Sequence, residues 1–182
     1  MARFFVAIET PPAVAASLLR ALPDHRGIRP VPPGQLHLTL RFLGDQDEAG
    51  AARIGHALGG VTSPAPTLQV SGVGRFRGRQ GAILWAGLAP DPALLSLFDE
   101  IGHALAEIGI APEGRRFHPH LTVARCRPTV PDAVLRDWLA AQHDLTMPPW
   151  VADRFVLFES LLSLHGARHV PHATYRLARG AG

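Results

Sequence analysis

The sequence lacks lysine altogether and contains one cysteine, Cys126. A single thiol excludes an internal disulfide and a multi-thiolate metal site, which is typical of a protein in a reducing cytoplasm. All eighteen basic residues are arginine, and the net charge is only +3. Guanidinium groups suit phosphate recognition, but a composition rich in Ala, Pro, Gly and Arg also fits coding bias. The charge therefore indicates a mild preference for anions and no more.

Long apolar segments and two common catalytic motifs are missing too. No apolar run reaches the length of a membrane span, and Glu9 with Pro11 and Pro12 interrupts the apolar start before a signal peptide is complete. The chain has neither a Ser-His-Asp signature nor a Walker-type Gly-Lys motif. We therefore expect a cytoplasmic protein that uses other chemistry.

The chain has 182 residues, 47% of them hydrophobic, which suffices for one domain over residues 1–182 with two small lobes. Apolar periodicity and turn signals predict the order β-α-β-α-β-β-α-β-α-β-β. The predicted strands cover residues 3–9, 36–44, 67–76, 82–88, 117–126, 150–158 and 171–178, and the predicted helices cover 10–22, 47–58, 94–108 and 131–142. No low-complexity linker divides the chain, so we expect one α+β unit with largely antiparallel strands.

The phrase His-Leu-Thr-apolar occurs twice, beginning at residues 37 and 120. Alternate residues of a strand point to opposite faces, so His37 and Thr39 share one face, as do His120 and Thr122. A looser match at His172 has weaker flanking residues and is interpreted as part of a terminal strand. Two such strands across a cleft would place two imidazoles and two hydroxyls around one small anion.

Two histidines suit in-line displacement at phosphorus. A neutral imidazole takes a proton from water, and a protonated imidazole gives a proton to the departing oxygen. Hydroxyl donors would hold the non-bridging phosphate oxygens. The alternative is that both histidines are structural residues of strands, hydrogen-bonded to their neighbours. A second alternative is a non-catalytic module that has the same cleft and binds RNA ends or nucleotides there without converting them.

Four segments together resemble the two-histidine phosphoesterases, and among them the RNA 2′,3′-cyclic phosphodiesterases, also called 2′-5′ RNA ligases. The segments are RFFVAI, LHLTLRFLG, RFHPHLTVAR and FVLFES, in that order. The resemblance covers essentially the whole chain. It implies a bilobal α+β fold with two pseudo-symmetric lobes, whose antiparallel sheets face a central cleft and whose helices lie outside.

The same resemblance implies an activity and a set of roles. The expected reaction is metal-independent and cofactor-free opening of a 2′,3′-cyclic phosphate to a 2′-phosphate on an RNA or nucleotide end, by a monomer. Some members of the family also join or reverse 2′-5′ linkages in RNA. His37 and His120 would be the acid-base pair, with His120 as the base and His37 as the acid. Thr39 and Thr122 would bind the phosphate.

Four further residues are possible substrate contacts: Arg41, Phe42, His118 and Arg125. Arg41 is predicted on the same face as His37, either in reach of phosphate or in solvent at the rim. Strict alternation places Phe42 and Arg125 on the core face. Phe42 is therefore predicted to pack in the core, while the role of Arg125 stays open. His118 either orients His120 or is a plain turn residue.

The closing segment, HGARHVPHATYRLARG, departs from the basic and aromatic pattern of the family. Its three histidines, His165, His169 and His172, have metal-like spacing but no carboxylate or cysteine near them, so no metal site is predicted. The turn RFRGR at residues 75–79 has two open interpretations, contact with the RNA backbone or a solvated hairpin tip.

Overall fold

A computed structural model describes residues 2–179 of the protein. Over this range the strands are Ala2–Glu9 (β1), Ile28–Pro30 (β2), His37–Gln46 (β3), Thr67–Leu68 (β4), Val70–Gly78 (β5), Gly81–Leu88 (β6), His120–Cys126 (β7), Trp150–Val151 (β8), Arg154–Ser163 (β9) and Gly166–Arg176 (β10). The helices are Pro12–Arg20 (α1), Glu48–Leu58 (α2), Pro92–Glu107 (α3) and Asp132–Ala141 (α4), with a 3-10 turn at Pro33–Gln35. None of the helices described in this range is long and apolar enough to cross a membrane.

One eight-stranded sheet carries the fold. Its order is β10-β9-β1-β3-β7-β6-β5, with β2 paired to β7, while β4 and β8 pair separately. The neighbouring strands of this sheet run antiparallel. The predicted order of major elements and the predicted α+β class are confirmed. The short strand β2 was not predicted, and the predicted strands 67–76 and 150–158 are each divided in two, into β4 and β5 and into β8 and β9.

The two halves of the chain repeat one plan. The series β1-α1-β3-α2-β5 is followed by β6-α3-β7-α4-β9, and the last strand of each half pairs with the first strand of the other. We call β1, β3, β9, β10, α1 and α2 lobe 1, and β2, β5, β6, β7, α3 and α4 lobe 2. The two lobes meet where β3 pairs with β7 through a single residue pair, Leu38 with Leu121.

The two faces of the sheet are different. Most buried apolar residues, including Leu38 and Leu121, form one core cluster together with the buried faces of the four helices. A small second cluster lies on the opposite face and contains Phe5, Phe158 and two small neighbours. We call the face of the second cluster the cleft face. Side chains on the cleft face are not covered by the helices and are free to meet a ligand.

A β-bulge in β3 changes which side chains reach the cleft face. Ala7 of β1 pairs with Thr39 and Val6 pairs with Arg41, so Leu40 is the extra residue. Leu40 and Arg41 are therefore both buried, and Phe42 returns to the cleft face, where its side chain is 67% exposed. The predictions that Arg41 shares the face of His37 and that Phe42 packs in the core are both wrong. Strict alternation fails at the bulge.

A second bulge occupies the matching place in β7. Trp85 of β6 pairs with Thr122 and Leu84 pairs with Ala124, so Val123 is the extra residue. Arg125 is consequently exposed on the cleft face and not on the core face that strict alternation predicted. The two bulges correspond under the pseudo-symmetry that exchanges β3 with β7.

Two boundaries also differ from the predictions. Gly44 was expected to end β3, but the strand continues to Gln46 with Gly44 at φ 68°. Glycine adopts this left-handed conformation without a steric penalty, so the strand bends there and continues. The last hairpin begins earlier than expected, because β10 starts at Gly166. His169 is therefore a strand residue and does not lie in a loop.

Candidate active site

The two histidines of the repeated phrase are held in the same way. His37 Nδ1 lies 2.7 Å from the carbonyl oxygen of Gln35, and His120 Nδ1 lies 2.6 Å from the carbonyl oxygen of His118. A carbonyl oxygen can only accept, so Nδ1 carries the proton in both rings. Nε2 is then the nitrogen left for chemistry, as a base when the ring is neutral and as an acid when it is charged.

The pairing of Leu38 with Leu121 brings the two phrases side by side. Since the strands are antiparallel, His37 lies level with Thr122, and Thr39 lies level with His120. All four side chains are on the cleft face, and all four residues are partly buried. The two phrases therefore lie next to each other on the cleft face at the junction of the lobes.

His37 is surrounded by aromatic rings and lies near two further imidazoles. The rings of Phe5 and Phe158 lie 5.0 Å and 6.5 Å from its ring, centre to centre. The pKa of His37 is lowered from 6.5 to about 4, first by burial and then by the charges of His169 and His120, and only the Gln35 carbonyl opposes the change. His37 is therefore neutral at physiological pH in the free protein.

His120 has a more open environment. Phe76 stands edge-on to it at 5.2 Å, and Trp85 lies 6.0 Å away. Burial lowers the pKa of His120 as well, and the charge of His118 adds to this, while the His118 carbonyl hydrogen bond raises it. The backbone oxygen of His118 holds the His120 ring, and the His118 ring also lies 5.5 Å from it. The His118 ring packs against Trp85 as well, at 4.8 Å.

A third imidazole, His169 of β10, also belongs to the site. Its ring lies 5.2 Å from His37 and 4.8 Å from Phe5, nearly perpendicular to both. Burial lowers the pKa of His169. The sequence-based interpretation missed this residue because it started the final strand after His169. Gln35 was missed for a different reason, since any residue at that position offers the same carbonyl.

Arg41 lies outside the site. Its guanidinium donates to the carbonyl oxygen of Ala111, and its Nε is 4.0 Å from the Glu113 carboxylate. The residue is only 5% exposed, so it is neither the rim arginine nor the phosphate contact that were considered. It fixes the loop before β7 to the back of lobe 1.

Two arginines of the arginine-rich turn, Arg75 and Arg77, also lie outside the site. Arg75 and Arg77 both contact Asp132 of α4, at 2.7 Å and 2.8 Å. Phe76 between them points the other way, toward His120. The turn therefore contributes an aromatic ring to the cleft and not a pair of cations.

The closing histidines do not converge. His169 contacts Phe5 on the cleft face, whereas His172 stands edge-on to Phe4, which belongs to the core on the other face. In the part of the chain that the structure describes, no three His, Cys, Asp or Glu side chains are close enough to hold a metal ion. Cys126 is buried in the core, and burial raises the pKa of its thiol.

Known proteins resemble this chain over most of its length. The sequence profile of the 2′-5′ RNA ligase superfamily matches residues 5–163. An RNA 2′,3′-cyclic phosphodiesterase of Aeropyrum pernix is 33% identical over 107 residues, 57% of this chain and 61% of that protein. The enzyme of the same name from Escherichia coli is 26% identical over 187 residues and 97% of each chain.

Solved structures show the same fold. A crystal structure of a Thermus thermophilus protein superposes with a TM-score of 0.78 at 25% identity, over 98% of this chain and all of that one. The apo crystal structure of Escherichia coli LigT gives a TM-score of 0.77 at 24% identity, over 98% of each chain. The bilobal fold that the sequence resemblance implied is confirmed. With a profile match over most of its length, this chain belongs to the 2′-5′ RNA ligase superfamily.

Proposed function

We propose that this protein is an RNA 2′,3′-cyclic phosphodiesterase that opens the cyclic phosphate to a 2′-phosphate without a metal. The observation that carries this function is the pair of imidazoles on adjacent strands, each with Nδ1 bound to a carbonyl and Nε2 left free. The relatives support the reaction class, since both of those described above are RNA 2′,3′-cyclic phosphodiesterases by name. The alternative, a structural role for both histidines, would not require a free Nε2 on each ring.

In the proposed reaction the hydroxyls of Thr39 and Thr122 donate hydrogen bonds to the non-bridging oxygens. One imidazole takes a proton from water as the water oxygen bonds to phosphorus. The bond between phosphorus and the 3′ oxygen breaks, and the second imidazole gives that oxygen a proton. The product carries a 2′-phosphate and a free 3′-hydroxyl, and proton exchange with solvent restores both rings.

The electrostatics of the free protein favour one division of these roles. The resemblance assigned the base to His120 and the acid to His37. The pKa of His37 is lowered to about 4, which keeps this ring at neutral pH in the uncharged form that a general base needs. We therefore assign the base to His37 and the acid to His120, the reverse of the expected order.

The activity is tested with a short RNA that ends in a 2′,3′-cyclic phosphate, incubated with the protein in EDTA. Wild type should form the 2′-phosphate, and His37→Ala and His120→Ala should each lower kcat/KM by about 10²–10⁴-fold. His103→Ala is the matched control, because His103 is exposed on α3. Absence of product, or product formation that survives both substitutions, contradicts the function. RNA-end binding without product would favour the non-catalytic module.

The assignment of His37 as the base and His120 as the acid is tested with a substrate that has a different leaving group. Sulfur in place of the 3′ bridging oxygen leaves as a thiolate and needs no general acid. This substrate should restore much of the activity of His120→Ala but not of His37→Ala. If this substrate restored the activity of His37→Ala only, His37 would be the acid.

A further inference from the structure

The two imidazoles of the site are held by carbonyl oxygens that belong to very different segments. In lobe 1 the Gln35 carbonyl closes the 3-10 turn Pro33–Gln35, in which the Gln35 N–H donates to the Pro32 carbonyl at 2.8 Å. Proline fixes φ, so two consecutive prolines and a hydrogen-bonded turn leave this segment little freedom. In lobe 2 the His118 carbonyl lies in a loop that has no such turn.

The loop before β7 is long and mostly exposed. It covers residues 108–119, between the end of α3 and the start of β7, and residues 111–116 are all exposed. Within the described residues 2–179, the backbone hydrogen bonds outside helices and strands include none that involves residues 111–118. Side-chain contacts therefore have to fix this part of the loop.

Side chains from both lobes contact this loop. From lobe 2, Phe98 of α3 stacks on Phe117 with ring centres 4.1 Å apart, and Trp85 packs on the His118 ring at 4.8 Å. From lobe 1, the guanidinium of Arg41 contacts the first part of the loop. The segment that supplies the His118 carbonyl is thus attached to the lobe that carries the other imidazole.

Arg41 is well suited to hold a backbone segment. Its guanidinium donates to the Ala111 carbonyl, and its Nε lies 4.0 Å from the Glu113 carboxylate. The residue is only 5% exposed, because the bulge at Leu40 turns it away from the cleft. A hydrogen bond from a charged donor is stronger than one between neutral groups, and burial protects it from competition with water.

The position of Arg41 in β3 connects this contact to the site. Arg41 follows His37 and Thr39 on the same strand. In backbone register, β3 and β7 are joined by the single pair Leu38 with Leu121. Because this ladder is so short, the placement of one phrase against the other depends on contacts beyond it, and Arg41 makes one of them.

We propose that Arg41 is a positioning residue for His120, which acts from the opposite lobe by fixing the loop whose His118 carbonyl orients the ring. The inference rests on the proposed function, in which His120 is the acid, and goes beyond it by adding a residue that never touches the substrate. Without Arg41 the carbonyl can move away from Nδ1. The ring then exchanges tautomers and rotates, so Nε2 no longer points steadily at the departing oxygen.

The direct test is the nitrogen NMR spectrum of the His120 ring, recorded at a pH where the ring is neutral. Wild type should show the tautomer with the proton on Nδ1. Arg41→Met should show a mixture of both tautomers, because methionine fills much of the same space but donates no hydrogen bond. Arg41→Lys keeps a charged donor and should restore most of the Nδ1–H form. An unchanged tautomer in Arg41→Met would overturn the proposal.

Kinetics provide a second test. On the ordinary cyclic phosphate, Arg41→Met should lower kcat about tenfold with little change in KM, since the acid is misplaced while the threonine hydroxyls remain. On the substrate with sulfur at the 3′ bridging position, which needs no acid, the loss should be less than about twofold. Equal losses on both substrates would overturn the positioning role. If wild type converted neither substrate, the proposed function would fail, and the NMR spectrum would still decide the role of Arg41.

A control variant separates positioning from a general loss of stability. Ile54→Val removes one methyl group from the core side of α2, where Ile54 is fully buried. This change should lower the midpoint of thermal unfolding without altering the His120 tautomer or the ratio of kcat on the two substrates. If Ile54→Val changed the tautomer as much as Arg41→Met does, lower stability alone would explain the effect, and the proposal would be overturned.

Discussion

The two lobes place the same imidazole in the same hydrogen bond but in different environments. In lobe 1, His37 is surrounded by Phe5, Phe158 and a second imidazole, His169. In lobe 2, His120 lies against Phe76 and Trp85 in a more open setting, where burial also lowers its pKa. A symmetric backbone therefore supports an asymmetric pair, which acid-base catalysis requires because one ring must be neutral and the other charged.

The residues that follow the two bulges also differ between the lobes. Lobe 1 presents the exposed ring of Phe42 to the cleft, where lobe 2 presents the guanidinium of Arg125. Behind them, lobe 1 buries Arg41 and lobe 2 buries the small Ala124. One side of the cleft thus presents an aromatic ring, and the other presents a cation.

The largest expected effect concerns the threonine hydroxyl, which each lobe supplies at the same position of its phrase. Thr39→Val and Thr122→Val should each lower kcat/KM about 100-fold, because each removes a hydroxyl donor aimed at the transferring phosphate. Thr→Ser at either position retains the donor and should retain most of the activity. A loss below about tenfold in one variant only would show that the two hydroxyls are not equivalent, as measured by steady-state kinetics on a cyclic mononucleotide.

The next effect concerns stability and the contact that Arg41 of lobe 1 makes with the loop before β7. Arg41→Ala should lower the free energy of unfolding by about 2 kcal/mol, since the Ala111 carbonyl loses its donor and Glu113 its cation. Urea denaturation followed by circular dichroism measures the change. Arg168→Ala, an exposed arginine on β10, should change it by less than about 0.5 kcal/mol. Equal effects of the two substitutions would contradict the structural role of Arg41.

Phe42 sharpens the contrast with Arg125. Phe42→Ala should raise KM for a cyclic mononucleotide about tenfold through loss of stacking, with little change in kcat. Phe42→Tyr keeps the ring and serves as the control. The salt dependence of KM should not change in Phe42→Ala, since no charge is removed. A salt-dependent loss would mean that the ring acts by positioning neighbouring cations.

The smallest expected effect is a shift in the pH profile. A proton on His37 blocks the base, so kcat/KM should fall at acid pH near the His37 pKa of about 4. It should also fall as His120 loses its proton, below the ordinary pKa of 6.5, which places the optimum on the acid side of neutrality. Initial rates at constant ionic strength measure both limbs, and an optimum above pH 7 would contradict the two lowered pKa values.

His169 is expected to change the pH at which kcat/KM falls on the acid side of that profile. The charged groups acting on His37 are His169 from β10 and His120 from β7, both of which lower the pKa of His37. His169→Gln removes one of them and should raise the His37 pKa, moving the acid limb to higher pH. His172→Gln is the control, because His172 faces the core side of the sheet. If NMR titration gave the same His37 pKa in His169→Gln as in wild type, the effect of His169 on His37 would be contradicted.

Several features followed from local sequence. Apolar periodicity is a property of short segments, and it predicted the order of the major helices and strands. The spacing His-x-Thr places both side chains on one face of any strand, so His37, Thr39, His120 and Thr122 could be grouped before a structure was available. The resemblance in four segments predicted the family, which the profile match confirms.

Other features depended on which strands became neighbours. A bulge forms where one strand pairs against another, so no local pattern showed that Leu40 and Val123 would be extra residues. The bulges placed Arg41 in the core and brought Phe42 and Arg125 to the cleft. His169 reached His37 only because β10 pairs with β9 and β9 with β1. The sequence by itself determined the reactive groups and the elements that carry them, because both are local properties. Tertiary structure alone decided which groups share the cleft, because strand pairing joins residues that are far apart in the chain.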